Sequence, residues 1–188
     1  MPAQDWCVER YRPLLRLHAR QLRLGRLHRA RFDTSDVVHE AIVRALERLD
    51  QCRGETEAER VGWLRAILEN RLKEMLDRDY AGKRDLRRER SLDAAVGRTD
   101  TPLGAYLTAA GPGVSSLVVR QEEVLQLAAA VEELPEDEKD VLVAHCVLGL
   151  RVAEVAARVG RTEKAVAMLL YRAKLRLRAK LAPREARA

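Results

Sequence analysis

The stretch from Val152 to Leu177 constrains this chain more than any other. Val152, Val155, Ala156 and Val159 recur at i, i+3, i+4 and i+7, the buried stripe of a short helix. Gly160 follows and supplies a turn, and Thr162 offers an N-cap. Val166, Leu169, Leu170, Ala173 and Leu177 then line a longer helix. A helix, a Gly turn and a capped longer helix make a helix-turn-helix. With Val166 as the buried direction, Lys164, Met168 and Tyr171 project away from it, flanked by Ala167 and Arg172. Arg161 stands just before the cap. In a recognition helix the first turns enter the major groove, where side chains meet base edges and phosphates. Ala167 is small enough for close backbone approach, and the continuation RAKLRLRAK is a basic stripe suited to phosphates. Arg161, Thr162, Lys164, Ala167, Met168, Tyr171 and Arg172 are therefore the expected DNA contacts here. The competing reading is an ordinary solvated face with snorkelling cations.

No strand-period alternation persists anywhere and there is no internal repeat, so the expected class is all-α. A single Phe and four Tyr leave little for aromatic-rich strands, while 47% apolar residues among 188 suffice for one or two small cores. The segment Gly97–Ser116, rich in Gly, Pro, Ser and Thr, makes a poor helix and a good linker. It divides the chain into an expected helical domain over 1–96 and a helix-turn-helix domain over 117–188. In the first, Asp33, Thr34 and Ser35 offer caps to a helix running to about Asp50, with Val38, Ile42, Ala45 and Leu49 inward and Leu46 at the margin. A capping box, Thr56-x-x-Glu59, opens the next helix, whose core face is Leu64, Ile67, Leu68, Leu72 and Met75. In the second domain, a helix after Pro135 is expected to stop near Gly149.

A net charge of +6 and a pI near 9.5 favour a polyanionic partner, but the charge is not spread evenly. Arg10 to Arg31 holds eight arginines and no acid, Asp33 to Glu59 eight acids against three arginines, and Glu132 to Asp140 is acidic again. Lys83–Arg90 and the C-terminal stretch from Arg158 are basic. Such blocks suit separate docking surfaces. Cys7, Cys52 and Cys146 are odd in number and far apart, which argues against a disulfide framework or a zinc site. No apolar run approaches the ~20 residues a bilayer span needs, and arginines interrupt the N-terminus where a signal core would lie. A cytoplasmic protein without membrane insertion is expected.

One short motif remains. In DVVHE, Asp36, His39 and Glu40 share a helix face at i, i+3 and i+4. A metal-binding helical bundle would need a second acid–His helix, and none of His18, His28 or His145 has an acid three or four positions before it. General acid–base work needs a pocket, which a face shared with Glu47 and Asp50 does not suggest. Neither a metal, a cofactor nor a catalytic group is expected. Val43, set among these acids, gives the face an apolar centre and a charged rim, the pattern of a protein-binding surface.

Three stretches in this order, SDVVHEAIVRALERLDQCRG, WLRAILENRLKEMLDR and VEELPEDEKDVLVAHCVLGLRVAEVAARVGRTEKAVAMLLYRAKLRLR, resemble bacterial sigma factors of the extracytoplasmic-function group of the sigma-70 family, over nearly the whole chain. The resemblance implies two helical domains, regions two and four, joined by a flexible linker. It implies that Asp36, His39, Glu40, Val43 and Glu47 dock on the clamp helices of the RNA polymerase beta-prime subunit, His39 standing where the family commonly has Gln. Trp63, Asn70, Lys73, Glu74 and Arg78 would read and help melt the minus-ten promoter element. Region four would bind the minus-thirty-five element, with Ala167 where a basic residue is frequent and Met168 where Ser is common, a departure that bears on which promoter is read. Core RNA polymerase and promoter DNA are the implied partners, an anti-sigma factor is a further partner the resemblance admits, and the chain would do no chemistry itself. Physical chemistry agrees: a melted strand is caught by stacking and edge hydrogen bonds, for which Asn70 can donate and accept, Lys73 and Arg78 can hold phosphates, and Trp63 can stack. Trp63 suits a core anchor equally well. A stand-alone helix-turn-helix regulator explains the second half but leaves the acidic DVVHE helix without a partner.

Overall fold

A computed structural model describes residues 7–25, 32–82 and 121–182, and every regular element among them is helical. The expected linker 97–116 and the basic run 83–90 lie outside the described residues. A 3-10 turn, Val8–Tyr11, leads into α1 (Arg12–Leu24), which has Pro13 in its first turn, where a missing N–H costs no hydrogen bond. Asp33 caps α2 (Thr34–Glu47), its carboxylate accepting from the Ser35 N–H at 2.7 Å. The Thr56/Glu59 box opens α3 (Glu57–Gly82): the Glu59 N–H donates to Thr56 Oγ1 at 3.2 Å, and the Thr56 N–H to Glu59 Oε2 at 3.0 Å. In the second half come α4 (Gln121–Glu132), α5 (Glu136–Leu142), α6 (Val152–Val159) and α7 (Glu163–Leu181).

The helix expected from Pro135 to Gly149 does not stay α throughout. After Leu142 it widens into a π turn, Val143–Val147, in which the Leu148 N–H bonds back to the Val143 carbonyl at 3.0 Å. Gly149 then takes φ 70°, and a 2.8 Å bond between His145 Nδ1 and the Leu150 carbonyl fastens the exit. Apolar spacing does not distinguish a π from an α turn, so the start after Pro135 and the end near Gly149 were legible but the change of winding was not.

Packing follows the apolar stripes. Val38, Ile42 and Ala45 of α2 are buried as expected, and so are Val37 and Ala41, which make the stripe broader than the heptad-like reading. Leu46, placed at the margin of that stripe, is 49% exposed. On α3, Leu64, Ile67, Leu68 and Leu72 are buried, with Met75 partly so. α2 packs on α3 and α1; α5 and α6 pack on α7. α1 also packs on α4 and the π turn, so one cluster of buried apolar residues runs through both halves. No described helix is long and apolar enough to cross a membrane.

Candidate DNA-reading and docking surfaces

Gly160 closes α6 with φ 67°, a left-handed conformation that glycine adopts without a Cβ clash. Thr162 then caps α7, its hydroxyl accepting from the Ala165 N–H at 3.2 Å. Between them these two residues set the angle of the helix pair. Burial of Val166, Leu170 and Ala173 against the other helices fixes the rotation of α7 about its axis. Lys164, Ala167, Met168, Tyr171 and Arg172 consequently all face outward, with Met168 49% and Tyr171 65% exposed. Leu175, which the sequence reading did not single out, continues the exposed apolar line one turn beyond Tyr171. Thr162 is exposed too, while Arg161 leans back to pair with Asp137 of α5.

The DVVHE face is likewise outward. Asp36, His39, Glu40, Val43 and Glu47 are exposed, and Leu46 joins Val43 in the apolar centre. Glu40 is not free: Arg71 of α3 donates to its carboxylate and thereby holds it below the usual carboxylate range. Arg71 also reaches Glu74 at 3.2 Å, and Arg44 of α2 grips both oxygens of Glu74 at 2.7 and 2.9 Å, depressing that carboxyl as well. One expected docking residue and one expected minus-ten residue thus share a guanidinium. Asn70, Lys73 and Arg78 are exposed on α3, whereas Trp63 is half-buried and packs on the core.

Sequence spacing missed an interhelical pair. His18 of α1, 3% exposed, places Nε2 2.8 Å from a Glu69 carboxylate oxygen of α3 and Nδ1 3.3 Å from Gln21. Burial pushes the imidazole pKa down, against the opposing pull of Glu69. The two residues are 51 positions apart, so no local motif announces the contact. Among the described residues, no three His, Cys, Asp or Glu side chains gather as a metal site would require.

Comparison with known proteins bears on the second half. Residues 124–177, from α4 through most of α7, match the family model described as Sigma-70, region 4. A comparison with curated proteins gives no match. Among solved structures, the sigma factor RpoE from Bartonella quintana, in its complex with the anti-sigma factor NepR, aligns at 18% identity and a TM-score of 0.34, covering 90% of this chain and 91% of that one.

Proposed function

We propose that this chain, which carries a sigma-70 region 4 module, is a sigma factor of the extracytoplasmic-function group that binds core RNA polymerase and directs promoter-specific initiation in the cytoplasm. The observation that carries the reading is the outward face of α7, Lys164, Ala167, Met168, Tyr171 and Arg172, within the segment that matches region 4. Long cations at the rim of such a face hold phosphates and set register, while side chains nearer its middle meet base edges. α7 would thus bind the minus-thirty-five element. Asn70, Lys73 and Arg78 on α3 would engage the minus-ten element, with Glu74 braced by Arg44 and Arg71 beside them. Trp63, anchored in the core, would support that surface from below. Asp36, His39, Glu40, Val43 and Glu47 on α2 would meet the clamp helices of the beta-prime subunit through an apolar centre and an acidic rim. An anti-sigma factor is a partner of the same class of surface. The chain supplies address and orientation, and polymerase supplies catalysis.

Charge reversal tests the docking face. Glu40→Lys with Glu47→Lys is expected to slow association with core polymerase by roughly tenfold at low salt and to change its salt dependence. Far-UV circular dichroism should keep its helical signal. Unchanged association by the helical variant would refute the assignment of α2.

A further inference from the structure

Among the described residues, the large apolar side chains left exposed are Val43 and Leu46 on α2, and Met168, Tyr171, Leu175 and Leu181 on α7. Scattered singly over a surface, such residues need no explanation, but gathered patches mark contact sites. Here they sit on two helices only, and all but Leu181 fall into two stripes. Val43 and Leu46 are neighbours at i and i+3, and Met168, Tyr171 and Leu175 follow one another at i, i+3 and i+7. At 1.5 Å per residue the α7 stripe is about 10 Å long.

The charges around the two stripes have opposite signs. Asp36 and Glu40 stand seven and three positions before Val43, and Glu47 four after it, so all three share its face. Asp36 and Glu47 are exposed and form no ion pair among the described residues, while Glu40 is held by Arg71. Lys164, Arg172 and Arg178 flank the α7 stripe, are exposed, and likewise form no ion pair among the described residues. Cations on the other sides of α7 behave differently: Arg176 reaches Glu138 at 3.3 Å, and Lys180 pairs with Glu133. α7 thus keeps an uncompensated positive rim around an apolar centre, and α2 a negative one. Within the chain, α2 packs on α1 and α3, and α7 on α4, α5 and α6, which leaves both stripes uncovered.

We infer that each face is the other's partner in a second copy of this chain. α2 of one copy lies along α7 of the other, Val43 and Leu46 against Met168, Tyr171 and Leu175, with Asp36, Glu40 and Glu47 opposite Lys164, Arg172 and Arg178. About a two-fold axis the contact is made twice, and the assembly closes as a dimer. An apolar centre inside a rim of complementary charge is the anatomy of a specific interface. Each contact is small and two chains of net charge +6 repel at long range, so pairing is expected at concentrations on the order of 100 µM rather than nanomolar. Salt of about 0.1 M screens the distant repulsion beyond roughly 10 Å and leaves the close pairs in place. The pairing does not rest on the sigma-factor reading. On that reading, polymerase competes with the second copy for α2.

Sedimentation equilibrium of the whole chain at about 0.1 M salt tests the pairing. The apparent mass should rise from 21.3 kDa toward twice that value as concentration increases. Asp36→Lys with Glu47→Lys, and separately Lys164→Glu with Arg172→Glu, should each hold the chain at the monomer mass. Mixed in equal amounts, these two variants carry opposite reversals, so both contacts become complementary again and the dimer mass should return. Leu46→Gln with Leu175→Gln, which leaves the charges alone, should weaken pairing as well. Every substituted side chain is exposed, so circular dichroism should show unchanged helicity. A monomer at every concentration would overturn the inference and leave the two faces to other partners. A dimer that survives both reversals, or a mixture that stays monomeric, would overturn it too. Core polymerase should take up one chain and not two. A complex holding two chains would refute the competition and leave the self-pairing standing, whereas failure to bind polymerase at all would sink the sigma-factor reading alone.

Discussion

If α7 reads bases as proposed, its rotation about its axis decides which side chains do so, and three single substitutions test it. Val166 and Ala173 are fully buried and Leu170 nearly so, which leaves the helix one way to sit. At about 100° per residue, Lys164, Met168 and Tyr171 fall roughly 140–200° from Val166, and Arg172 about 240°. Met168 and Tyr171 thus occupy the middle of the outward face, and Arg172 its edge. Truncating side chains this exposed changes folding stability by at most about 0.5 kcal/mol, so any effect on promoter use comes from lost contacts. A groove contact discriminates bases by about 1–3 kcal/mol, roughly 5- to 150-fold in preference. Loss of a phosphate contact at Arg172 would instead weaken binding to all promoters alike and reduce the salt slope by about one. The assay is transcription from a promoter library at two salt concentrations, each variant loaded on core polymerase. Met168→Ala and Tyr171→Ala should re-rank minus-thirty-five sequences, and Arg172→Ala should lower all of them together. Re-ranking by Arg172→Ala, with the order untouched by the other two, would refute this orientation of the helix.

Two further outcomes follow from local geometry. At Gly160 a Cβ would meet nothing within 4 Å, so Gly160→Ala bears only the left-handed backbone strain, about 1–2 kcal/mol, and the melting temperature should fall by a few degrees; an unchanged midpoint would argue against the observed turn. His18, facing Glu69, Arg65 and Gln21, has its folded pKa pushed below the unfolded value of about 6.5, so the unfolded chain takes up the proton first as pH falls. Its contribution is complete above about pH 6.5 and declines below it, until the folded imidazole protonates too; denaturant midpoints between pH 8 and 5 should show this slope and lose it in His18→Gln. The same slope in the variant would assign it to other groups.

Most of the helix-turn-helix was legible because its signals are local: a Gly where φ turns positive, a Thr three residues before the N–H it caps, and apolar residues at helical spacing. The same holds for the Asp33 cap and the Thr56/Glu59 box, each confined to a few residues. What the sequence concealed is long-range. His18 with Glu69, Arg71 shared between Glu40 and Glu74, and Arg20 with Glu136 and Asp140 depend on which helix packs beside which. Charge blocks pointed to separate docking surfaces, not to α1 bridging both halves. Leu46 shows a second limit: one residue's step along a helix turns a side chain by about 100°, and the margin of a stripe falls inward or outward with the packing of its neighbours.

The central claim is that this chain gives polymerase its promoter specificity and has none by itself. Transcription reactions with purified bacterial core polymerase on a promoter library, with and without the chain, test it most directly, alongside binding of the chain alone to the same DNA. The account predicts start sites sharing two spaced elements only when chain and polymerase are both present, and no tight sequence-specific binding by the chain alone. Tight specific binding without polymerase, and no change in start sites with it, would contradict the account and identify a stand-alone regulator instead.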